Sequence, residues 1–165
     1  MNEVSDYWEQ IVKINVWQQK RISLLVIKNL FGTLSNKRLA IFGFAFKANT
    51  NDTRESPSIN ISRNLLQEGA QLTFYDPKVK EEKILEEFNQ AYNLDKLLVA
   101  QSAKIAAEGA DAILILTGWD EFKNLNWESI YKVMRKPAWV FDARICLDKK
   151  YLKSIGFNVW TVGIS

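Results

Sequence analysis

The 165 residues contain no histidine and a single cysteine, Cys146. Without histidine there is neither zinc-ligand spacing nor a Ser-His or Cys-His pair, and one cysteine excludes an intramolecular disulfide. Glycine is sparse, and no G-x-G-x-x-G run occurs; Gly43 stands alone in an apolar segment and is weak as a dinucleotide signal. No apolar run approaches the roughly 20 residues of a membrane span. The opening "MNEVSDYWEQ" has neither the basic start nor the apolar core of a secretion signal, so a cytoplasmic location is expected. Charge of one sign is not in excess either. A net charge of +3, spread along the chain, argues against nucleic acid and membrane surfaces as partners, so any anion must be bound locally.

What is present is ordinary globular composition, 47% hydrophobic and 25% charged, which suffices for one well-buried domain plus an extra element. Residues 6 to 31 carry Trp8, Ile11, Val12, Ile22, Leu25, Ile27, Leu30 and Phe31 at helical spacings, with Gly32 placed to end the helix. We therefore expect a helical arm over residues 1–35 and an α/β domain over 36–165. "KRLAIFGFAF", "AQLTFYDP", "ADAILILTGW" and "AWVFDA" read as strands, a short strand is expected near 97–100, and "GFNVWTVG" closes as an edge strand. Helices fall between them. Ser56 reads as an N-cap with Pro57 at the first helical position and Gly69 at the far end, and 103–109 and "NWESIYKVMRKP" supply others. Alternating strands and helices predict a Rossmann-like, doubly wound α/β fold with a mainly parallel sheet.

In such sheets ligands sit beyond the carboxyl ends of the strands. The stretch "FAFKANTNDTRESPS", residues 44–58, lies there, directly ahead of a helix start whose free N–H groups and dipole favour phosphate. Lys47 and Arg54 add two cations, and Arg144 follows "AWVFDA" at the same edge, so three cations are expected to converge. Spacing leaves a second reading open, in which Lys47 and Arg54 are solvated charges paired with Asp52 and Glu55. Cys146, between Ile145 and Leu147, is expected to be an inert thiol. Trp119, Trp127 and Trp139 read as packing aromatics.

The blocks "GFAFKANTNDTRESPS", "YDPKV", "TGWDEFKNLNWESI" and "KPAWVFDARICLD" together resemble the C-terminal UDP-binding domain of the UDP-glucose 6-dehydrogenases. The likeness extends back through "YWEQIVKINVWQQKRISLLVIKNLFG", which is similar to the end of that family's central helix. The resemblance implies an NAD-dependent enzyme that oxidises UDP-glucose twice, to UDP-glucuronate. It places Phe46, Lys47 and Arg144 on the UDP-sugar and Arg54 on NAD held mainly by another domain. It also implies a homodimer through the arm and an NAD-binding half or intact dehydrogenase as partner; Trp8, Ile11, Val12 and Ile22 then either face a second subunit or, in the reading left open, belong to a helix folded back on its own domain. No catalytic residue and no metal ligand is assigned within the 165 residues, so the chain alone is expected to be inactive. Ala143 stands where the family usually has glycine, and Gly118 where an acidic residue is common. A second class stays open, a free-standing UDP-binding or oligomerisation module without catalysis.

Overall fold

Leu39, Ala40, Ile41 and Phe42 are all buried, as a strand covered on both faces requires. In the computed structural model, which describes residues 2–89, 92 and 94–163 (side chains of 2–8, 12, 16 and 94 excepted), this strand is β1 (Arg38–Phe42). It follows a long helix, α1 (Asn2–Asn29), and leads through the polar loop into α2 (Pro57–Gln67). Then come β2 (Gln71–Tyr75), α3 (Glu81–Glu86), β3 (Leu97–Val99), α4 (Ala103–Ala107), β4 (Ala112–Ile115), α5 (Asp120–Lys123) and α6 (Trp127–Val133). The chain closes with β5 (Trp139–Asp142), α7 (Lys149–Ile155) and β6 (Asn158–Thr161).

The sheet runs β3-β2-β1-β4-β5-β6, and every strand pair is parallel. The fold is therefore the doubly wound α/β class, with a wholly parallel sheet. Its order reverses direction between β1 and β4, which opens a crevice at their carboxyl ends. Helix α7 had no counterpart in the periodicity, because within "KKYLKSI" only Leu152 is buried. The topology supplies the reason for it: parallel β5 and β6 need a crossover connection. Asp148 starts that crossover by accepting the N–H groups of Lys150 and Tyr151 at 2.9 and 3.0 Å.

Helix α1 stops at Asn29, two residues short of the expected end, and Gly32 N–H closes it on the Ile27 carbonyl at 2.9 Å. The intervening Phe31 takes a left-handed φ of 69° and is 74% exposed. Val26, Leu30 and Leu34 join the same core as β1, so the second half of α1 is part of the domain's packing. Ile22 also packs inward, and so faces its own domain where the arm reading had turned it outward. The exposed apolar residues of this segment are instead Ile14, Trp17, Leu24 and Phe31. Trp8 and Val12 lie outside the described side chains. Trp119 and Trp127 are buried and Trp139 stacks on Phe141 with ring centres 5.4 Å apart, so all three tryptophans serve packing.

Candidate functional site

Two carboxylates at strand ends shape the crevice. Asp76, just after β2, accepts N–H groups from both sides. Its Oδ2 takes Phe44 N at 2.7 Å, Ala45 N at 3.0 Å and Trp119 Nε1 at 3.2 Å, while Oδ1 takes Lys78 N and Val79 N, each at 2.9 Å. The start of the polar loop is thereby tied to the end of β2, with Phe44 and Ala45 fully buried. Thr117, beyond β4, donates its hydroxyl to the Ala45 carbonyl at 2.6 Å, and Ser58 of α2 donates to the Gly43 carbonyl at 2.9 Å. Gly43 is indispensable to this closure, for its φ is +91° and a Cβ would lie 2.4 Å from Thr117 Cβ.

Asp142 does the same work at the end of β5. Its carboxylate accepts Arg144 N and Leu147 N at 2.9 Å and Cys146 N at 3.0 Å. Wrapping residues 143–147 around one carboxylate forces Ile145 into a left-handed φ of 56° and leaves it exposed. It also turns Arg144 back over the sheet edge, where Arg144 Nε donates to the Leu116 carbonyl at 2.6 Å.

Between these loops, α1 and α2 lies a cleft of about 460 Å³, lined among others by Phe46, Glu55, Pro57, Leu116, Ala143 and Arg144. That size suits a small organic ligand. Of the four residues expected to touch ligand or cofactor, Phe46 and Arg144 meet in this cleft. Lys47 adjoins Phe46 but is exposed and does not line it. Arg54 stands outside, its side chain 86% exposed and clasped by Asp52, whose Oδ1 accepts Nε at 3.0 Å and Oδ2 accepts Nη2 at 2.7 Å. That hydrogen-bonded guanidinium holds the Asp52 carboxyl well below the usual carboxylate range. The three cations thus do not converge in the cleft. Among the residues lining it Arg144 is the cation and Glu55, held at a φ of 58°, the anion.

The helix start also differs from expectation. Pro57 has no N–H, Ser58 N–H is capped by Ser56 Oγ at 3.4 Å, and Ile59 N–H turns to the Ser56 carbonyl at 3.1 Å. With those donors already satisfied, the positive group facing the cleft is the guanidinium of Arg144. Burial lowers that guanidinium from its ordinary value, and no carboxylate among the described residues pairs with it. Such a half-dehydrated, unpaired fork favours an anionic partner. Gly118 lies alongside; a Cβ there would sit 3.6 Å from Arg144 Cβ, in ordinary contact.

Cys146 lies nearby without being poised to react. Burial, with the Asp142 charge added, pushes its thiol up to about 12, so it stays protonated at neutral pH. Among the described residues, no group of His, Cys, Asp and Glu side chains is arranged to hold a metal ion, and no helix is long and apolar enough to cross a membrane.

Sequence reasoning found the loop but missed the groups that hold it, Asp76, Thr117 and Asp142. The available signal was an aspartate at the end of each of two apolar strands. It also missed Asn15, Gln18, Gln19 and Asn60, which line the helical side of the cleft, because which helix face borders a cleft is set by packing.

A parallel doubly wound sheet with a polar cleft at its switch point defines a Rossmann-like domain of the nucleotide-binding type. Comparison with known proteins is more specific. The chain belongs to the UDP-glucose/GDP-mannose dehydrogenase family, and residues 40–149 match that family's UDP binding domain. UDP-glucose 6-dehydrogenase of Caenorhabditis elegans is 44% identical over 167 residues, which cover 99% of this chain and 35% of that protein. The Gallus gallus enzyme is 44% identical over 171 residues, covering 98% and 34%. Among solved structures, UDP-D-ManNAc dehydrogenase from Pyrococcus horikoshii matches with a TM-score of 0.68 and 27% identity, over 90% of this chain and 30% of its own. The chain therefore spans about a third of the length of the curated relatives it matches.

Proposed function

We propose that the cleft takes the nucleoside diphosphate of a UDP-sugar, and that the domain contributes this binding to a cytoplasmic, NAD-dependent UDP-glucose 6-dehydrogenase that makes UDP-glucuronate. The observation that carries the reading is Arg144. Its Nε is spent on the Leu116 carbonyl, its terminal nitrogens have no protein acceptor among the described residues, and it shares the cleft with the half-exposed ring of Phe46. A guanidinium for the diphosphate and an aromatic surface for the nucleoside make a coherent pair. Lys47, next to Phe46 in the loop, adds a second cation at the rim.

The residues of this domain fit NAD only at its edge. They form no glycine-rich cradle, and Arg54 is an exposed fork that does not line the UDP cleft. That position supports Arg54 as a group reaching toward NAD held by residues outside these 165. When bound, NAD is the hydride acceptor; the residues present here bind and orient the nucleotide. Cys146, protonated and clasped by the Asp142 loop, takes no nucleophilic part.

Calorimetric titration of the chain with UDP, UDP-glucose and NAD tests the reading. We expect UDP to bind, Arg144→Ala and Lys47→Ala each to weaken it by about 1–3 kcal/mol, and Arg54→Ala to leave it nearly intact. NAD alone should give no heat. Equal losses at all three positions would overturn the division between sugar nucleotide and cofactor.

The same reading makes α1 a contact between two copies. Ile14, Trp17 and Leu24 on α1, with Phe31 just beyond its end, are large apolar side chains left exposed. Light scattering should give a dimer mass, reduced to the monomer by Trp17→Glu with Leu24→Glu. A monomer mass for the unsubstituted chain sinks the homodimer.

A further inference from the structure

The inward face of α1 changes character along its length. Ile22, Val26 and Leu30 are apolar where this face packs into the core. One and two turns earlier the same side presents Gln18 and Asn15, which border the cleft shared by Phe46 and Arg144. The outer face runs the opposite way, with Ile14 and Trp17 each 57% exposed. An amphipathic helix docked only on protein keeps its apolar stripe inward. Here the stripe gives way to carboxamides at the point where the cleft begins.

The amides divide into two kinds. Gln19 is committed to the fold, since its Oε1 accepts Asn60 Nδ2 at 3.0 Å and so ties α1 to α2. Asn15 and Gln18 have no hydrogen-bond partner among the described residues, and they stand at i, i+3 on one face. Each offers a donor and an acceptor and carries no charge. An amide N–H can also meet a phosphate oxygen, but the cleft already offers the diphosphate the Arg144 guanidinium, and the paired donor and acceptor of each carboxamide match the adjacent N–H and carbonyl groups of a uracil edge.

We propose that Asn15 and Gln18 are ligand-binding residues that engage the base of the nucleotide. The inference rests on the reading of the cleft as a UDP site. It makes α1 one wall of the binding site in addition to its packing role, and it separates base recognition on the arm from phosphate recognition on the sheet edge.

The test titrates UDP, UDP-glucose and inorganic pyrophosphate into the full chain and into its Asn15→Ala/Gln18→Ala double variant. Both side chains are exposed, so the variant should melt like the parent. We expect UDP and UDP-glucose to bind about tenfold more weakly to the variant, as the loss of two neutral hydrogen bonds implies, with pyrophosphate unchanged. Unchanged UDP affinity overturns the proposal while leaving the UDP site standing. A loss confined to UDP-glucose overturns it by moving the amides to the sugar, and an equal loss for pyrophosphate overturns it by showing a general disturbance. Absence of UDP binding to the unsubstituted chain would instead defeat the underlying reading, and the proposal with it.

Discussion

Asp76→Ala is expected to cost about 3–5 kcal/mol of folding stability, a large share of what a domain of this size possesses. One carboxylate serves five donors, and four of them, Phe44 N, Ala45 N, Val79 N and Trp119 Nε1, are buried. Alanine strands those donors away from water, and each uncompensated group contributes a desolvation cost of about 1–3 kcal/mol before local relaxation recovers part of it. Asp76→Asn should fall between, because its carbonyl still accepts on one side while its amide faces the other set of N–H groups. Chemical denaturation of the three proteins measures the series. A loss below about 1 kcal/mol for alanine would show that water replaces the carboxylate freely and that Asp76 does not organise the loop.

Gly43→Ala should cost about 2–4 kcal/mol, from a left-handed backbone and from crowding together. The added methyl would lie 2.4 Å from Thr117 Cβ and 2.7 Å from Thr117 N, so part of the collision is with backbone that cannot rotate away. Moving Thr117 would also disturb the hydroxyl bond to the Ala45 carbonyl that closes the polar loop. Gly32→Ala provides the internal comparison: its φ is +80° but nothing lies within 4 Å of the added atom. That variant should lose only the conformational part, about 1 kcal/mol. Thermal unfolding of both separates the terms, and equal losses would remove the close approach of β1 and β4 as the reason for Gly43.

These two residues show how legibility varied along the chain. The central strands were readable because Leu39–Phe42 and Ala112–Ile115 are unbroken apolar runs between polar residues, a pattern that burial on both faces produces directly. The start of α2 was readable because Ser56 and Pro57 act on their own backbone. Helix α7 was not, since a short crossover with one buried side chain leaves almost no period. Gly43 was noticed as a lone glycine, yet its reason lies in Thr117, 74 positions away, and Asp76 meets Phe44 across 32 positions. Nothing local in either segment states those meetings.

The site divides along the same line. Phe46, Lys47, Arg54 and Arg144 were selected from the sequence as a cationic loop and a strand-end arginine, but the packing of α1, β4 and β5 around the crevice left Phe46 and Arg144 inside, while Arg54 pairs with Asp52 two residues away. By itself the sequence determined the alternation of strands and helices, the caps, the inventory of cations and the absence of histidine chemistry. Those follow from side chains acting on their own backbone within a few residues, and from composition. The tertiary structure alone decided which charges face the cleft, which amides of α1 join them and which glycine cannot be replaced. These depend on close approach between segments distant in the chain, where a shift of about an ångström separates contact from collision.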